Sequence, residues 1–172
     1  MKISLIFPGQ GSQFVGMGKD FYNSFAVAKD VFSELDETLN RSLSSIVFSG
    51  SEEELSNTVN SQPSIMATSL AMYKTIIEED IIDKNLIKCV AGHSLGEYSA
   101  LLCAESLKFT DALFLLHERG KAMQKAVPVG QGLMLAILGL NMNEIQNYIS
   151  KIKIEKVCEV ANDNANGQII VS

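Results

Sequence analysis

The sequence LIKCVAGHSLGEYSALLCA at residues 86–104 places a serine between two glycines, where an apolar run gives way to a helical pattern. Residues 86–91 are mostly apolar and predict a buried strand, and residues 95–104 predict a helix. A Gly-x-Ser-x-Gly motif between a strand and a helix is typical of a nucleophile elbow, a tight turn that exposes the serine hydroxyl. We therefore predict that Ser94 is a nucleophile. The alternative is an ordinary tight turn in which Ser94 caps the helix.

The glycines and the first helix amides belong to the same prediction. Side chains at Gly92 and Gly96 would collide with the neighbouring strand or helix, so both positions need glycine. The turn also directs the backbone N–H of Leu95 towards the group that Ser94 attacks, and the helix dipole adds positive potential there. The sequence therefore predicts that Leu95 helps to stabilise an oxyanion.

A second glycine-rich loop, FPGQGSQ at residues 7–13, follows a predicted strand over residues 2–7. It is not a dinucleotide-binding loop, because Phe14 stands where the third glycine belongs, and no Lys-Ser/Thr pair follows to make a Walker A motif. Ligands bind at the carboxyl ends of strands in open α/β sheets, so Gln10 is placed to donate a hydrogen bond to an anionic oxygen. An ordinary strand-to-helix turn explains the same spacing equally well.

Strand and helix patterns alternate along the first part of the chain, which indicates a parallel sheet in an α/β fold. Besides the helix after Ser94, the apolar spacing predicts longer helices over residues 20–39, 61–79 and 110–126. Pro63 marks the start of the helix over residues 61–79, because proline is favoured near a helix N-terminus. The pair Ser51-x-x-Glu54 predicts a capping box at the start of a short acidic helix.

The pattern changes after residue 127. The elements predicted from there on are a strand, a helix and two strands, at residues 132–140, 142–152 and 156–172. The last two strands meet at Asn166-Gly167, a strong hairpin signal. This β-α-β-β order is the first part of a ferredoxin-like βαββαβ unit. We predict an α/β core over residues 1–127 and an incomplete ferredoxin-like subdomain over residues 128–172.

Composition is that of an ordinary globular protein. Of the 172 residues, 47% are hydrophobic and 20% are charged, which suits a chain with a sizeable core. The formal net charge of -6 and the absence of a dense basic run argue against a nucleic-acid partner. Three scattered cysteines argue against a disulfide framework or a zinc site, and no apolar run reaches the about 20 residues that span a bilayer. We expect a reduced, cytoplasmic setting.

Three motifs together carry a family resemblance: FPGQGSQ at residues 7–13, GHSLGEYSAL at residues 92–101 and LLHERGKAMQ at residues 115–124. With Gln62-Pro63 between them, their order and spacing resemble the malonyl-CoA:acyl-carrier-protein transacylase family, over essentially the whole chain. The resemblance implies an α/β-hydrolase-like core with an inserted ferredoxin-like subdomain. It implies transfer of a malonyl group from malonyl-CoA to the phosphopantetheine thiol of acyl carrier protein, in fatty acid biosynthesis, with no cofactor or metal ion.

The resemblance also implies a role for each matching residue. Ser94 would form the acyl-serine ester, and Gln10 with the backbone N–H of Leu95 would form the oxyanion hole. The guanidinium of Arg119 would pair with the free carboxylate of the malonyl group through two hydrogen bonds, and an acetyl group would leave it unpaired. The implied substrate-binding residues are Arg119, Met123 and His93. Without the resemblance, Arg119 would be interpreted as a solvated charge on its helix.

The family's general base is a histidine downstream of residue 172. His93 adjoins the nucleophile, where neighbouring side chains diverge, and His117 lies about 200° round the helix from Arg119, so neither is well placed as a base. We expect the chain to be the N-terminal part of a transacylase that needs a C-terminal complementing fragment. An α/β-hydrolase-type thioesterase, and an inactive remnant or binding half that works with a second chain, are the alternatives.

Overall fold

The computed structural model describes residues 2–128, 130–152 and 157–172, and the chain forms two compact units, residues 1–125 and 126–172. The first unit is a mixed α/β structure. Its strands are β1 (Ile3–Phe7) and β2 (Ile87–Gly92). Its helices, the last of which ends at the boundary between the units, are α1 (Lys19–Ser24), α2 (Ala26–Leu39), α3 (Leu43–Ser49), α4 (Glu52–Ser56), α5 (Thr58–Glu78), α6 (Gly96–Cys103) and α7 (Phe109–Ala126).

Strands β1 and β2 pair in parallel, which confirms the parallel sheet that the sequence predicts. Phe7 ends β1 and stands opposite Gly92, which ends β2. Both strands therefore stop at the same edge of the sheet, and the backbone N–H of His93 donates to the carbonyl of Phe7 over 3.1 Å. The two glycine-rich loops that follow these strands begin side by side at this edge.

The main apolar core of the first unit lies among its helices. Phe32 of α2 is fully buried, and its ring centroid lies 4.7 Å from that of Phe48 at the end of α3. The same cluster takes in buried side chains of α5 and α7, among them Met66 and Leu116. Leu95, which follows the serine of the predicted elbow, is 0% exposed and belongs to this cluster. Burial of Leu95 therefore anchors the loop after β2 to the helical core.

The helix predicted over residues 20–39 is two helices, because the chain turns at Phe25. This residue has extended backbone angles, φ −125° and ψ 130°, and its N–H closes α1 by donating to the carbonyl of Phe21. The turn brings the two rings together, with centroids 6.0 Å apart, and packs Phe25 against the helical core. Helical spacing of apolar residues is the same on both sides of such a break, so it did not reveal the break.

Helix α5 begins at Thr58, three residues before the predicted helix over residues 61–79. The N-cap is Asn57, whose side-chain oxygen accepts the backbone N–H of Val59 over 3.2 Å. Pro63 therefore lies inside the helix rather than at its first turn. The sequence prediction was wrong here because it used the proline as the start signal and overlooked the capping asparagine.

Pro63 leaves one carbonyl of α5 without its helical partner. Because proline has no N–H, the carbonyl of Val59 receives no hydrogen bond from the position four residues later. The guanidinium of Arg41 supplies the missing donor, with its Nη2 3.2 Å from the carbonyl oxygen of Val59. Its Nη1 donates to Oδ1 of Asn60 over 2.6 Å. Arg41 thus stabilises the start of α5 from outside the helix.

The second unit has the predicted β-α-β-β order. Its elements are β3 (Leu135–Leu138), α8 (Met142–Ile149), β4 (Val160–Ala165) and β5 (Gln168–Val171). The strands form an antiparallel sheet in the order β3-β5-β4, and β4 joins β5 through the predicted turn at Asn166-Gly167. Ile145 of α8 and Ile169 of β5 are buried. Lys156, where the last pair of strands was predicted to begin, lies outside the described residues.

The three cysteines are free thiols. Cys89 is exposed, whereas Cys103 is buried, and loss of hydration raises the pKa of the Cys103 thiol to about 12. In the part of the chain that the structure describes, no helix combines the length and the apolar character needed to cross a membrane.

We expect Arg41→Ala to lower the free energy of unfolding by about 1–3 kcal/mol, because it leaves the Val59 carbonyl without a donor in a half-buried position. Urea unfolding followed by circular dichroism measures this change. Lys84→Ala is the control, since it removes a cation whose ion pair with Glu105 is exposed to solvent. Equal losses in the two variants would show that Arg41 acts only as a surface charge.

Candidate active site

Ser94 lies between β2 and α6 with a φ of +56°, in the left-handed region that side-chain-bearing residues rarely adopt. Such backbone strain is tolerated where the surrounding structure fixes the conformation, and it clusters at functional sites. The residue is exposed, so the turn presents the hydroxyl at the surface. This is the geometry of the elbow that the sequence predicts.

The two glycines of the motif are sites of close backbone approach. A Cβ on Gly92 would lie 1.9 Å from the carbonyl carbon of Gly96, and a Cβ on Gly96 would lie 2.5 Å from the carbonyl oxygen of Phe7. Neither contact is possible for a real side chain, and backbone atoms cannot rotate away. Helix α6 therefore starts directly against the ends of β1 and β2, as the motif predicts.

The first amides of α6 differ in what they bind. The N–H of Gly96 donates to the carbonyl of His93 over 2.9 Å, and that of Glu97 donates to the carbonyl of Ser94 over 3.2 Å. The N–H of Leu95 donates to no backbone carbonyl within residues 2–128, 130–152 and 157–172. It thus lacks a backbone acceptor at the positive end of the α6 dipole, one residue after Ser94.

Arg119 contacts the predicted nucleophile directly. Its Nη2 donates to Oγ of Ser94 over 2.9 Å, although Arg119 lies on α7 and Ser94 lies in the turn between β2 and α6. Its Nη1 donates to Oε1 of Gln62 on α5 over 2.5 Å. The interpretation of Arg119 as a solvated helix charge is therefore wrong: its guanidinium joins the elbow to the start of α5.

Gln62 brings two more of the predicted residues, Gln10 and Met123, into the same group. Its Nε2 lies 3.5 Å from Oε1 of Gln10 and 3.3 Å from Sδ of Met123. Gln10 also donates through its own Nε2 to Oγ1 of Thr58 over 3.3 Å. Met123 is 41% exposed, so it lines the site rather than the core.

Gln62 is the residue that the sequence analysis did not select. It was noted only as part of a Gln-Pro pair at a helix start. The sequence carries a stronger signal, because residues 61–68 are small or apolar apart from this one long amide. In the structure, all eight residues are buried. A buried amide needs hydrogen-bond partners, and here the partners are site residues.

Close packing of α7 on α5 brings Arg119 within reach of Gln62. Gly120 is buried in the middle of α7, and a Cβ on it would lie 2.9 Å from Cα of Val59 and 3.1 Å from the carbonyl oxygen of Thr58. A larger residue would push the two helices apart. The glycine next to Arg119 therefore controls the distance between the guanidinium and its acceptor.

The two histidines have different surroundings. His93 is exposed and packs over the first glycine-rich loop, since a Cβ on Gly9 would lie 2.6 Å from its Nδ1. His117 is half-buried on α7, and its Nδ1 is buried without a hydrogen-bond partner among the described residues. Burial, and then the charges of Lys121 and Arg41, lower the pKa of His117, so its imidazole is neutral at pH 7.

The arrangement combines a strained serine, a free backbone N–H and a guanidinium. A cation beside the hydroxyl suits an acyl group that carries its own carboxylate. A guanidinium has only hydrogen-bond donors, so Arg119 cannot act as a base towards Ser94. Among the described residues, no group of three or more His, Cys, Asp or Glu side chains is placed to hold a metal ion.

Known proteins resemble this chain over nearly its whole length. The acyl transferase domain family matches residues 4–170. The malonyl CoA-acyl carrier protein transacylase of Bacillus subtilis strain 168 is 45% identical over 172 residues, which is 99% of this chain and 53% of that protein. The protein of the same name from Escherichia coli strain K12 is 37% identical over 171 residues, which is 99% of this chain and 54% of that protein. The chain thus spans about half the length of the curated relatives it matches.

Solved structures agree with the sequence matches. An acyl-carrier-protein-S-malonyltransferase from Bartonella henselae superposes with a TM-score of 0.91 at 43% identity, covering 99% of this chain and 55% of that one. A malonyl-transacylase solved in complex with a type II PKS acyl-carrier protein gives a TM-score of 0.90 at 37% identity, with 99% and 54% covered.

We expect Gly120→Ala to destabilise the chain. Helix propensity alone predicts the opposite, a gain of about 1 kcal/mol, because alanine is the better helix former. The contact with the Val59 backbone predicts a loss of about 1–3 kcal/mol, because the helices must separate. The sign of the change in urea midpoint decides between the two, and a rise in stability would mean that α7 does not pack closely on α5.

Proposed function

Because this chain belongs to the acyl transferase domain family, we propose that it transfers a malonyl group from malonyl-CoA to the phosphopantetheine thiol of acyl carrier protein, in fatty acid biosynthesis in the cytoplasm. The observation that carries the proposal is the contact between Arg119 and Ser94. The Arg119 guanidinium lies 2.9 Å from a serine hydroxyl in an elbow turn, where a carboxylate on the acyl group would meet it. That the relatives carry transacylase names supports the same reaction.

In the proposed first step, Ser94 is acylated. Its Oγ attacks the thioester carbonyl of malonyl-CoA while a base takes the hydroxyl proton, which gives a tetrahedral oxyanion. The free N–H of Leu95 and the side-chain amide of Gln10 stabilise that oxyanion. The carbon–sulfur bond then breaks, CoA leaves as a thiol with the proton, and a malonyl-serine ester remains.

In the proposed second step, the thiol of phosphopantetheine on acyl carrier protein attacks the ester carbonyl. The same donors stabilise the second oxyanion, the carbon–oxygen bond breaks, and the Ser94 oxygen regains its proton. A thioester is exchanged for an oxygen ester and back again, so the steps need no metal ion and no redox cofactor.

Arg119 selects the acyl group in this proposal. Its guanidinium can hold a carboxylate with two parallel hydrogen bonds, whereas an acetyl or longer alkyl group would leave it unpaired. Met123 and His93 are proposed to line the rest of the acyl site. The position of Arg119 also favours transfer of malonyl groups over the thioesterase alternative, since a thioesterase for plain acyl groups has no use for a cation at the serine.

The general base is proposed to be a histidine outside these 172 residues. The relatives are about twice as long as this chain, so they have further residues from which a base could come. Neutral His117 is chemically able to accept a proton, but it lies on a different face of α7 from Arg119. A C-terminal complementing fragment would supply the base in trans.

We also infer that the two units are parts of larger structures. Parallel sheets are normally covered on both faces. Ile6 of β1 is 80% exposed, so we infer that β1 and β2 form one end of a larger, α/β-hydrolase-like sheet. An apolar groove of about 350 Å³ runs between β1 and α5 beside it. The β3-β5-β4 sheet with α8 supports a ferredoxin-like subdomain, which has one further helix and one further strand.

We expect malonyl-CoA to add one malonyl group to the wild-type chain, slowly because the proposed general base lies outside these residues, and none to Ser94→Ala. Intact-mass spectrometry measures the adduct, and peptide mapping locates it. A fluorophosphonate probe in parallel reports whether Ser94 is nucleophilic at all. An adduct on Ser94→Ala would refute the assigned nucleophile, and labelling by the probe without a malonyl adduct would refute the assigned acyl group.

We expect Arg119→Ala to slow malonyl transfer to Ser94 by about tenfold or more, while acetyl transfer from acetyl-CoA stays the same or rises. Arg119→Lys is the matched control for charge, and it should recover only part of the malonyl rate because lysine lacks the two-pronged donor. A uniform loss for both acyl groups would mean that Arg119 supports the fold or the hydroxyl rather than substrate choice.

A further inference from the structure

Gln62 contacts three of the proposed site residues and is itself proposed for no role in the reaction. We propose that it is a positioning residue, which holds the guanidinium of Arg119 in the orientation that receives the substrate carboxylate. This inference rests on the proposed function for the identity of the substrate. The holding of Arg119 can be measured without any reaction.

The orientation of the Gln62 amide follows from hydrogen-bond chemistry. A guanidinium has only donors, so the carbonyl oxygen of the amide must be the end that faces Arg119. The NH₂ end then faces Oε1 of Gln10, at 3.5 Å, and Sδ of Met123, at 3.3 Å. Both ends of the amide are therefore occupied. Turning the amide round would place its NH₂ group against the N–H groups of Arg119.

Burial makes this orientation strong. The residue is 0% exposed, so water does not compete for either end of the amide. A hydrogen bond between a charged donor and a shielded acceptor is among the stronger ones in proteins. At 2.5 Å, the bond to Arg119 is much shorter than the 3.5 Å contact with Gln10. Loss of Gln62 should therefore disturb the orientation of Arg119 more than that of Gln10.

A neutral acceptor has an advantage over a carboxylate at this position. Gln62 occupies one Nη1 hydrogen and leaves the positive charge of Arg119 uncompensated. A glutamate would form an ion pair with the guanidinium and would compete with the carboxylate of the substrate. The amide thus fixes the direction of the cation without reducing its attraction for an anion.

The chain contains only two arginines, Arg41 and Arg119, which permits a direct test. Arginine labelled with ¹⁵N gives two sets of side-chain NMR signals, and Arg119→Lys assigns them. Restricted rotation splits the Nη signals of a held guanidinium. Arg41 donates its hydrogen bonds to Val59 and Asn60, and these make it an internal reference for a folded chain.

In the wild-type chain we expect split Nη signals for Arg119. Gln62→Met, which keeps the length of the side chain and removes the acceptor, should merge them and leave those of Arg41 unchanged. Ser64→Ala is the matched control, because Ser64 is equally buried on the same helix and its hydroxyl has no partner among the described residues. Gln62→Glu keeps an acceptor, so it should leave the Arg119 signals split but change their chemical shifts. This variant replaces Gln62→Met as the test if Gln62→Met does not fold.

Unchanged Arg119 signals in a folded Gln62→Met or Gln62→Glu variant would overturn the proposal. Malonyl-CoA added to the Ser94→Ala background then tests the link to substrate. We expect it to shift the Arg119 signals, with an apparent affinity about tenfold or more weaker after either Gln62 change. Signals that respond to Gln62 but not to malonyl-CoA would leave the positioning role intact and refute the proposed substrate, whereas the reverse result would refute only the positioning role.

Discussion

The contact between the backbones of Gly92 and Gly96 is the constraint on which the rest of the site depends. With no side chain at either position, α6 can start directly at the ends of β1 and β2, and Ser94 is forced to a φ of +56°. Strain of this kind costs about 1–3 kcal/mol. Full burial of Leu95 contributes about 1.5–3 kcal/mol, which is of similar size. The residue after the serine therefore offsets the strain, and its own N–H has no backbone acceptor among the described residues.

A second close approach, at Gly120, sets the position of the cation. Helix α7 packs so closely on the first turn of α5 that the side chain of Arg119 meets Gln62 and then Ser94. The acceptor that holds the guanidinium is neutral and buried, so the positive charge remains available to a ligand. Geometry and electrostatics thus support the same proposal, an acyl group that carries an anion.

Both arginines of the chain serve the start of α5. Arg41 binds the carbonyl that Pro63 leaves unpaired, and Arg119 binds the carboxamide of the residue just before that proline. A proline inside a helix is usually a defect, but here it opens a backbone acceptor to a donor from another segment. The helical turn of α5 that precedes Pro63 is therefore stabilised by Arg41 from another segment, and it also provides the acceptor that binds Arg119.

The sequence by itself determined the local features of this protein. The strands, the elbow around Ser94, the capping box at Ser51 and the hairpin at Asn166-Gly167 depend on neighbours within a few residues, and the glycine spacing and apolar periodicity reported them. The turn at Phe25 and the early start of α5 were missed, because apolar spacing is the same across a break and a proline was read as a helix start. The resemblance implied that Gln10 and Arg119 act with Ser94, but only the tertiary structure decided the contacts that join them through Gln62. These residues are 25 to 57 positions apart and come together through helix packing, which no local pattern records.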